Sequence, residues 1–117
     1  MYYGLPKATA DQEEPLGVLR RPESFALHQN YPNPFNPSTL VQFDLPEAGN
    51  VSLIVYDLLG REVAALVDGY VPAGYHRVTW NTVNGSLSTG LYFVRLSVTD
   101  AEDRLKYTKV TKLMLIK

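Results

Sequence analysis

The residue types that most often carry out catalysis are sparse in this chain of 117 residues and lie far apart. The two histidines, His28 and His76, each lack a second ligand three or four positions away, which a zinc site on a helix would need. No serine occupies a G-x-S-x-G turn, and cysteine is absent, so the sequence offers neither a hydrolase nucleophile nor a thiolate ligand. It therefore predicts no enzyme, no metal site and no cofactor.

Four aspartates, Asp44, Asp57, Asp68 and Asp100, stand at predicted strand ends or turns, where a carboxylate accepts hydrogen bonds from nearby backbone N–H groups. A calcium loop would bring several oxygen ligands together in a D-x-[DN]-x-[DN]-G pattern, which the sequence lacks. Turn formation is the interpretation that we favour for these aspartates.

Positive and negative charges are balanced, with 11 lysines and arginines against 12 aspartates and glutamates. The net charge of -1 gives no long-range field that would attract nucleic acid. Hydrophobic residues make up 45% of the chain, enough for one core. No apolar run approaches the roughly 18 residues of a membrane-spanning helix. We predict one domain with no nucleic acid partner and no small-molecule substrate.

The first 24 residues have the composition of a linker, with prolines, glycines and the acidic run DQEE. We interpret residues 1–24 as a linker or a vector-derived tail, and residues 25–117 as the domain. From Ser38 onward, apolar residues alternate with polar ones and turn residues recur every 8 to 12 positions, which is typical of a sandwich or barrel.

The first strand of this pattern places Val41, Phe43 and Leu45 on one face, whereas the second, at 50–57, has apolar residues on both faces. The tetrapeptide DLLG at 57–60 predicts a hairpin turn. Residues 61–67 then return as a strand, although their Ala-rich centre also suits a short helix, and a break follows at Asp68-Gly69.

The later strands begin after the turn VPAG at 71–74. In the strand at 74–81, Val78 and Trp80 are predicted to face the core and Tyr75 to cover an edge. The strand at 91–99 alternates cleanly, and the last one, 104–117, requires a β-bulge near Val110 to Lys112 to keep its register. With a short strand at 25–27, the chain predicts an all-β, immunoglobulin-like β-sandwich of about seven antiparallel strands.

A rigid proline-rich segment precedes these strands. Pro32, Pro34 and Pro37 each fix their own φ and disfavour a helical conformation in the preceding residue, so the segment is predicted to run extended outside any central ladder. We expect Tyr31 and Phe35 in this segment to be pinned against the core.

Several segments together closely resemble one family. They are NYPNPFNPST at 30–39, DLPEAGNVSLIVYDLLGREVAALVDG at 44–69, PAGYHRVTWN at 72–81, STGLYFVRL at 88–96 and the closing TKLMLIK. Over residues 25–117 the chain resembles the type A C-terminal sorting domain of type IX secretion cargo proteins from Bacteroidetes and related bacteria. That family is itself similar to the immunoglobulin-like domain of flagellar hook-capping proteins.

The resemblance implies a non-catalytic signal domain. A cargo protein would reach the periplasm in transit, be recognised by the outer-membrane translocon and shuttle proteins, and arrive at the cell surface or be secreted. In this family a sortase-type peptidase commonly removes the domain. The residues that the resemblance marks as sorting-motif candidates are Tyr31, Pro32, Asn33, Pro34, Phe35, Asn36, Pro37, Gly90, Tyr92, Lys112 and Lys117.

We hypothesise that the terminal strand is recognised at a sheet edge by strand addition, with Lys112 and Lys117 conferring orientation and selectivity. Because Lys117 ends a strand without a trailing linker, we expect the signal to close its parent chain. Two other interpretations stay open: an immunoglobulin-like spacer or adhesive module of a surface protein, and a carbohydrate-binding accessory module with an exposed row of aromatic side chains.

Overall fold

A computed structural model describes residues 21–83, 85 and 87–117 of the chain. All regular structure in this part is β-strand, and no described residue lies in a helix long and apolar enough to span a membrane. The strands are β1 (Ala26–Leu27), β2 (Ser38–Leu45), β3 (Gly49–Tyr56), β4 (Glu62–Val71), β5 (Gly74–Asn81), β6 (Gly90–Thr99) and β7 (Leu105–Leu115). Residues 1–20 of the predicted linker or tail lie outside the described residues. The domain boundary at residue 25 stays a prediction.

Two antiparallel sheets enclose one core. The first sheet has the order β1-β2-β5 and the second the order β4-β3-β6-β7, so β7 is an edge strand. Inward-facing apolar residues alternate with outward-facing ones along the central strands, as the period of two predicts. The buried hydrophobic side chains of β2, β3 and β6 are Val41, Phe43, Leu45, Val51, Leu53, Val55, Tyr92, Val94, Leu96 and Val98. The predicted β-sandwich of seven antiparallel strands is confirmed.

The strand β4 differs from the sequence prediction at its end. Residues 61–67 do form a strand rather than a helix, but β4 continues through Asp68 and Gly69 to Val71, so the predicted break there is wrong. The cause is the pairing with β3, in which Ser52 lies opposite Asp68 and Val51 opposite Gly69. Ladder hydrogen bonds outweigh the turn preference of this dipeptide, and Asp68 lies within a strand rather than at its end.

The strand β7 also differs, because the predicted bulge near Val110 to Lys112 is absent. The register with β6 runs without a break from Tyr107 to Leu115, and the single irregularity in this pair lies between Val98 and Thr99, at the start of β7. Strict alternation therefore reaches the end of the strand. Leu113 and Leu115 are buried in the core, and Met114 lies between them on the opposite face.

Two hairpin loops of the same design join β3 to β4 and β6 to β7. In the first, the Asp57 carboxylate accepts the Arg61 backbone N–H at 3.0 Å and pairs with the Arg61 Nε at 2.8 Å. In the second, Asp100 accepts the Arg104 backbone N–H at 3.0 Å and pairs with its Nε at 3.0 Å. These arginine backbone N–H groups are the main reason that the pKa of each aspartate lies below its ordinary value. The hairpin predicted at DLLG is confirmed, with Gly60 at φ 81°.

Candidate functional site

The C-terminal half of β7 is held from inside by the core. Phe35, only 2% exposed, packs its ring 5.5 Å from that of Trp80, and Trp80 meets the Tyr92 ring edge-on at 5.9 Å. Leu113 and Leu115 belong to the same buried cluster. Removing the last residues of the chain would therefore remove core side chains.

The proline-rich segment holds the same half of β7 from outside. The Phe35 N–H donates to the Met114 carbonyl at 2.9 Å, and the Ile116 N–H donates to the Phe35 carbonyl at 3.0 Å. Phe35 and Leu115 thus form a parallel β-bridge on the side of β7 that faces away from β6. The segment acts as a very short extra strand at the end of the sheet.

Two side-chain amides extend this cover along β7. The Gln29 Nε2 donates to the Lys112 carbonyl at 2.7 Å, and the Asn33 Oδ1 accepts the Met114 N–H at 3.0 Å. Amide groups have the same donors and acceptors as the backbone, so these two residues replace the groups of a neighbouring strand. From Lys112 to Ile116, the outer edge of β7 is covered.

Buried polar residues anchor the proline-rich segment itself. The Thr39 hydroxyl and the Asn30 Nδ2 both donate to the Pro32 carbonyl, at 2.8 and 3.1 Å, and Asn30 also donates to the Thr39 Oγ1 at 2.9 Å. The Thr82 backbone N–H and hydroxyl both donate to the Pro37 carbonyl. Sequence reasoning missed these three anchors. The prolines themselves were a signal for them, because a proline carbonyl oxygen still needs a hydrogen-bond donor where the segment packs against the fold.

Of the two aromatic residues expected in the core, Phe35 is buried, but the expectation for Tyr31 is wrong. The Tyr31 side chain is 78% exposed. Its backbone pairs with Leu40 of β2 through two hydrogen bonds, 3.0 and 2.8 Å long, and the side chain lies outside the sandwich. Most other candidate residues of the segment are exposed as well: Pro32, Asn33, Pro34, Asn36 and Pro37.

The candidate residues Gly90 and Tyr92 lie beside the covered half of β7. Gly90 pairs with Leu115 and has φ 158°, a conformation that favours glycine. Tyr92 pairs with Leu113, and its hydroxyl donates to the Ser88 carbonyl at 2.7 Å, which satisfies the polar end of a buried ring. The structure therefore brings Asn33, Phe35, Gly90 and Tyr92 together around the end of β7.

The first half of β7 has an open outer edge. In an antiparallel ladder, residues alternate between pointing their backbone groups at the partner strand and away from it. Met114 points away from β6, so Thr108 and Val110, in phase with it, do the same. Within the described part of the chain, no hydrogen bond reaches their outward N–H and C=O groups. Val110 is 52% exposed.

The end of the chain is basic, with five cations and no carboxylate side chain between residues 104 and 117. Arg104 pairs with Asp100 and Glu102, and Lys106 lies 3.9 Å from a Glu47 oxygen. Lys109, Lys112 and Lys117 are exposed, and among the described residues none of the three has an ion pair.

A family model described as a secretion system C-terminal sorting domain matches residues 29–112. The chain belongs to this family of type IX secretion sorting domains. The match includes Asn33, Phe35, Gly90, Tyr92 and Lys112. A comparison with curated proteins finds no match.

Membership of the sorting-domain family supports a role as a C-terminal secretion signal, with export to the cell surface or secretion and an interaction with the secretion machinery. Such domains are generally non-catalytic. The two histidines have local partners: His28 lies 2.8 Å from the Asp44 carboxylate, and His76 lies 2.8 Å from the Pro72 carbonyl. Among the described residues, no group of three or more His, Asp or Glu side chains could hold a metal ion.

The exposed aromatic residues of the sorting domain do not form a row on one sheet within the described part of the chain. Tyr70 lies on β4 of the four-stranded sheet and Tyr75 on β5 of the three-stranded sheet, while Tyr31 precedes β2. Trp80 and Val78 face the core, as predicted, and Tyr75 is 60% exposed on the edge strand β5. Trp80 is thus not available to stack on a sugar.

Proposed function

We propose that this sorting domain, without catalysis of its own, directs an attached cargo protein across the outer membrane through the type IX secretion system. The observation that carries this proposal is the position of β7 at the edge of its sheet, fixed at one end and open at the other. An edge strand with unpaired backbone groups can accept a partner strand by β-augmentation. We propose that the sorting domain spans residues 25–117.

The recognition step would use the open half of β7. Thr108 and Val110 offer two N–H donors and two C=O acceptors to an incoming strand. The covered half keeps β7 in one register, because Leu113 and Leu115 are locked in the core and Met114 is bonded to Asn33 and Phe35. A fixed strand loses little conformational entropy on docking, which favours binding.

The order of events follows from the family. The cargo would pass through the periplasm, the shuttle proteins and outer-membrane translocon would bind the domain, and a sortase-type peptidase would act on the exported protein. Asn33 and Phe35 would serve this process by holding the end of β7, and the exposed Tyr31, Pro34 and Asn36 would remain accessible to the machinery.

The test uses a proline at an outward-facing position. Val110→Pro removes an N–H that points away from β6, so the ladder with β6 is retained, and proline is tolerated at such edge positions. Val110→Thr is the matched control, because it changes the side chain and keeps the N–H. The full chain is fused behind a periplasmic reporter in a bacterium with a type IX secretion system, and the reporter at the surface or in the medium is measured.

We expect export of the wild-type and Val110→Thr fusions and retention of the Val110→Pro fusion. Circular dichroism with thermal unfolding checks that each variant folds, and Thr108→Pro supplies a second block should Val110→Pro unfold. Normal export of both folded proline variants would contradict recognition at this edge. Export of the reporter without the domain would contradict the sorting function as a whole.

A further inference from the structure

The cations around the open half of β7 have a definite arrangement. Lys112 and Val110 lie on the outer face of the four-stranded sheet, and Lys109 projects on the opposite face, because successive strand residues alternate. Arg104 and Lys106, in contrast, have carboxylate partners. Among the residues that the structure describes, Lys109 and Lys112 have no ion pair, and they flank Val110, whose outward backbone groups have no hydrogen bond there.

A groove begins beside Val110, at the end of the open half, and continues along the covered half to Met114. It is lined by residues 110–114 of β7 together with Gln29, Asn33 and Leu91. Val110, Leu91 and Met114 give it apolar surface, and no carboxylate side chain is among the lining residues that the structure describes. On the neighbouring outer face, Arg95 is already engaged, with its guanidinium 4.9 Å from the centre of the Tyr56 ring and its Nη2 2.7 Å from the Tyr56 hydroxyl.

Charge also argues against a second copy of the same strand as the occupant. Pairing β7 with β7 of another molecule would bring lysines of both chains to one edge, and like charges placed across a ladder are destabilising. Lysines on an edge strand are a known obstacle to such self-association. The surface is complementary to an acidic strand.

We propose that the strand received by β7 is an acidic extended segment of the secretion machinery, with an apolar residue against Val110 and carboxylates beside Lys109 and Lys112. The partner residue opposite Lys109 is acidic and the one opposite Val110 is apolar. The residue opposite Thr111 can be of any type, and the one opposite Lys112 is acidic. The apolar side chain and the second carboxylate lie on the outer face, and the first carboxylate lies on the other. This inference rests on the proposed function, since it names the partner of the same edge.

The binding test uses two synthetic ten-residue peptides with the full chain. One has the core Glu-Val-Val-Glu and the other the core Lys-Val-Val-Lys, with identical flanking residues, so that a valine lies against Val110 whether the peptide pairs parallel or antiparallel to β7. We expect the glutamate peptide to bind at least about tenfold more tightly, to weaken as salt is raised, and to shift the amide NMR signals of Thr108 to Lys112. Binding no tighter than that of the lysine peptide, or mapping elsewhere, would overturn the proposal.

Charge reversal supplies the matched test in cells. Lys109→Glu with Lys112→Glu should reverse the peptide preference and reduce export. Arg21→Glu with Arg77→Glu makes the same change in net charge at exposed positions outside β7, and should leave both the peptide preference and export unchanged. Normal export of the folded lysine double variant, with Val110→Pro still retained in the cell, would overturn the acidic partner alone. Normal export of the folded Val110→Pro and Thr108→Pro variants would overturn the edge-docking mechanism.

Discussion

The two halves of β7 share one strand and one ladder with β6, yet their outer edges differ. From the Lys112 carbonyl to the Ile116 N–H, the outward backbone groups are bonded to Gln29, Asn33 and Phe35, and the inward side chains are buried. From Tyr107 to Val110, the outward backbone groups of the described chain have no partner, and the side chains are mostly exposed. The end of the strand is structural, and the beginning has the backbone groups that the proposed docking would use.

Under the proposed function, this difference would make β7 both rigid and accessible. An uncovered edge strand invites self-association, and a fully covered one cannot accept a partner. Here the proline-rich segment covers the C-terminal half of β7, while lysines on the remainder oppose pairing with a second copy of the strand. The candidate residues Asn33, Phe35, Gly90 and Tyr92 act on the covered half, whereas Lys112 stands at the border of the two halves.

The largest effect is expected from removing the contact that distinguishes the covered half. Phe35→Ala deletes a buried ring between Trp80 and the β7 leucines, and should lower the free energy of unfolding by about 3–5 kcal/mol. It should also free the N–H groups of Met114 and Ile116 to exchange. Urea unfolding with hydrogen exchange measures both effects.

Tyr31→Ala is the control for that substitution, because it removes an aromatic side chain from the same segment. Tyr31 is largely exposed, so the free energy of unfolding should change by only about 0.5 kcal/mol. Equal losses in the two variants would mean that the ring of Phe35 does not hold the covered half.

A smaller loss of stability is expected on acidification, which should act on the open half of β7. The Arg104 backbone N–H lowers the pKa of Asp100 below 3.8, so ionised Asp100 stabilises the fold above that pH. The stabilisation is lost as the pH falls through the lowered pKa, and Asp57 behaves in the same way at the other loop. Because the Asp100 loop leads directly into β7, amides at its start should lose protection before those at its end.

The variant Asp100→Asn tests this prediction, since it keeps an oxygen acceptor and removes the titrating charge. Hydrogen exchange between pH 5 and pH 2, a range of about three units that includes the ordinary aspartate pKa, should show a weaker acid effect at the start of β7 than in the wild type. An unchanged pH profile would show that Asp100 does not hold this end of the strand.

The smallest effect concerns the two hairpin loops. Gly60 in the first loop and Asp103 in the second occupy the same position with φ of 81° and 65°. Because a left-handed conformation disfavours residues with a side chain, Asp103→Gly should raise the free energy of unfolding by about 0.5 kcal/mol, and Gly60→Asp should lower it by about 1 kcal/mol. Thermal unfolding of the two variants checks the sign, and a loss of stability in Asp103→Gly would contradict it.

The sequence predicted the sandwich well because inward positions of each central strand carry Val, Leu, Phe or Tyr. It failed at Asp68-Gly69, where the turn-forming residues remain paired with β3. It also failed at Val110 to Lys112, where no bulge forms, because Leu113 and Leu115 face the core and Met114 between them lies on the outer face. Local preference predicts the type of element, whereas pairing with a neighbouring strand determines where it ends.

The site was less accessible to sequence reasoning. The segment around Phe35 was recognisable from its prolines, but which aromatic residue enters the core depends on the pairing of Tyr31 with Leu40. The bonds from Gln29 and Asn33 to β7 join residues separated by 83 and 81 positions. No periodic pattern encodes such contacts, so the division of β7 into covered and open halves required the structure.

Amide hydrogen exchange along β7 tests the central claim most directly. The outward N–H groups of Met114 and Ile116 should exchange slowly, because they are bonded to Asn33 and Phe35, and the inward N–H groups of Lys109 and Thr111 should be protected by β6. The outward N–H groups of Thr108 and Val110 should exchange rapidly. Equal protection of Thr108, Val110 and Met114 would contradict an open edge and, with it, the docking of a partner strand there.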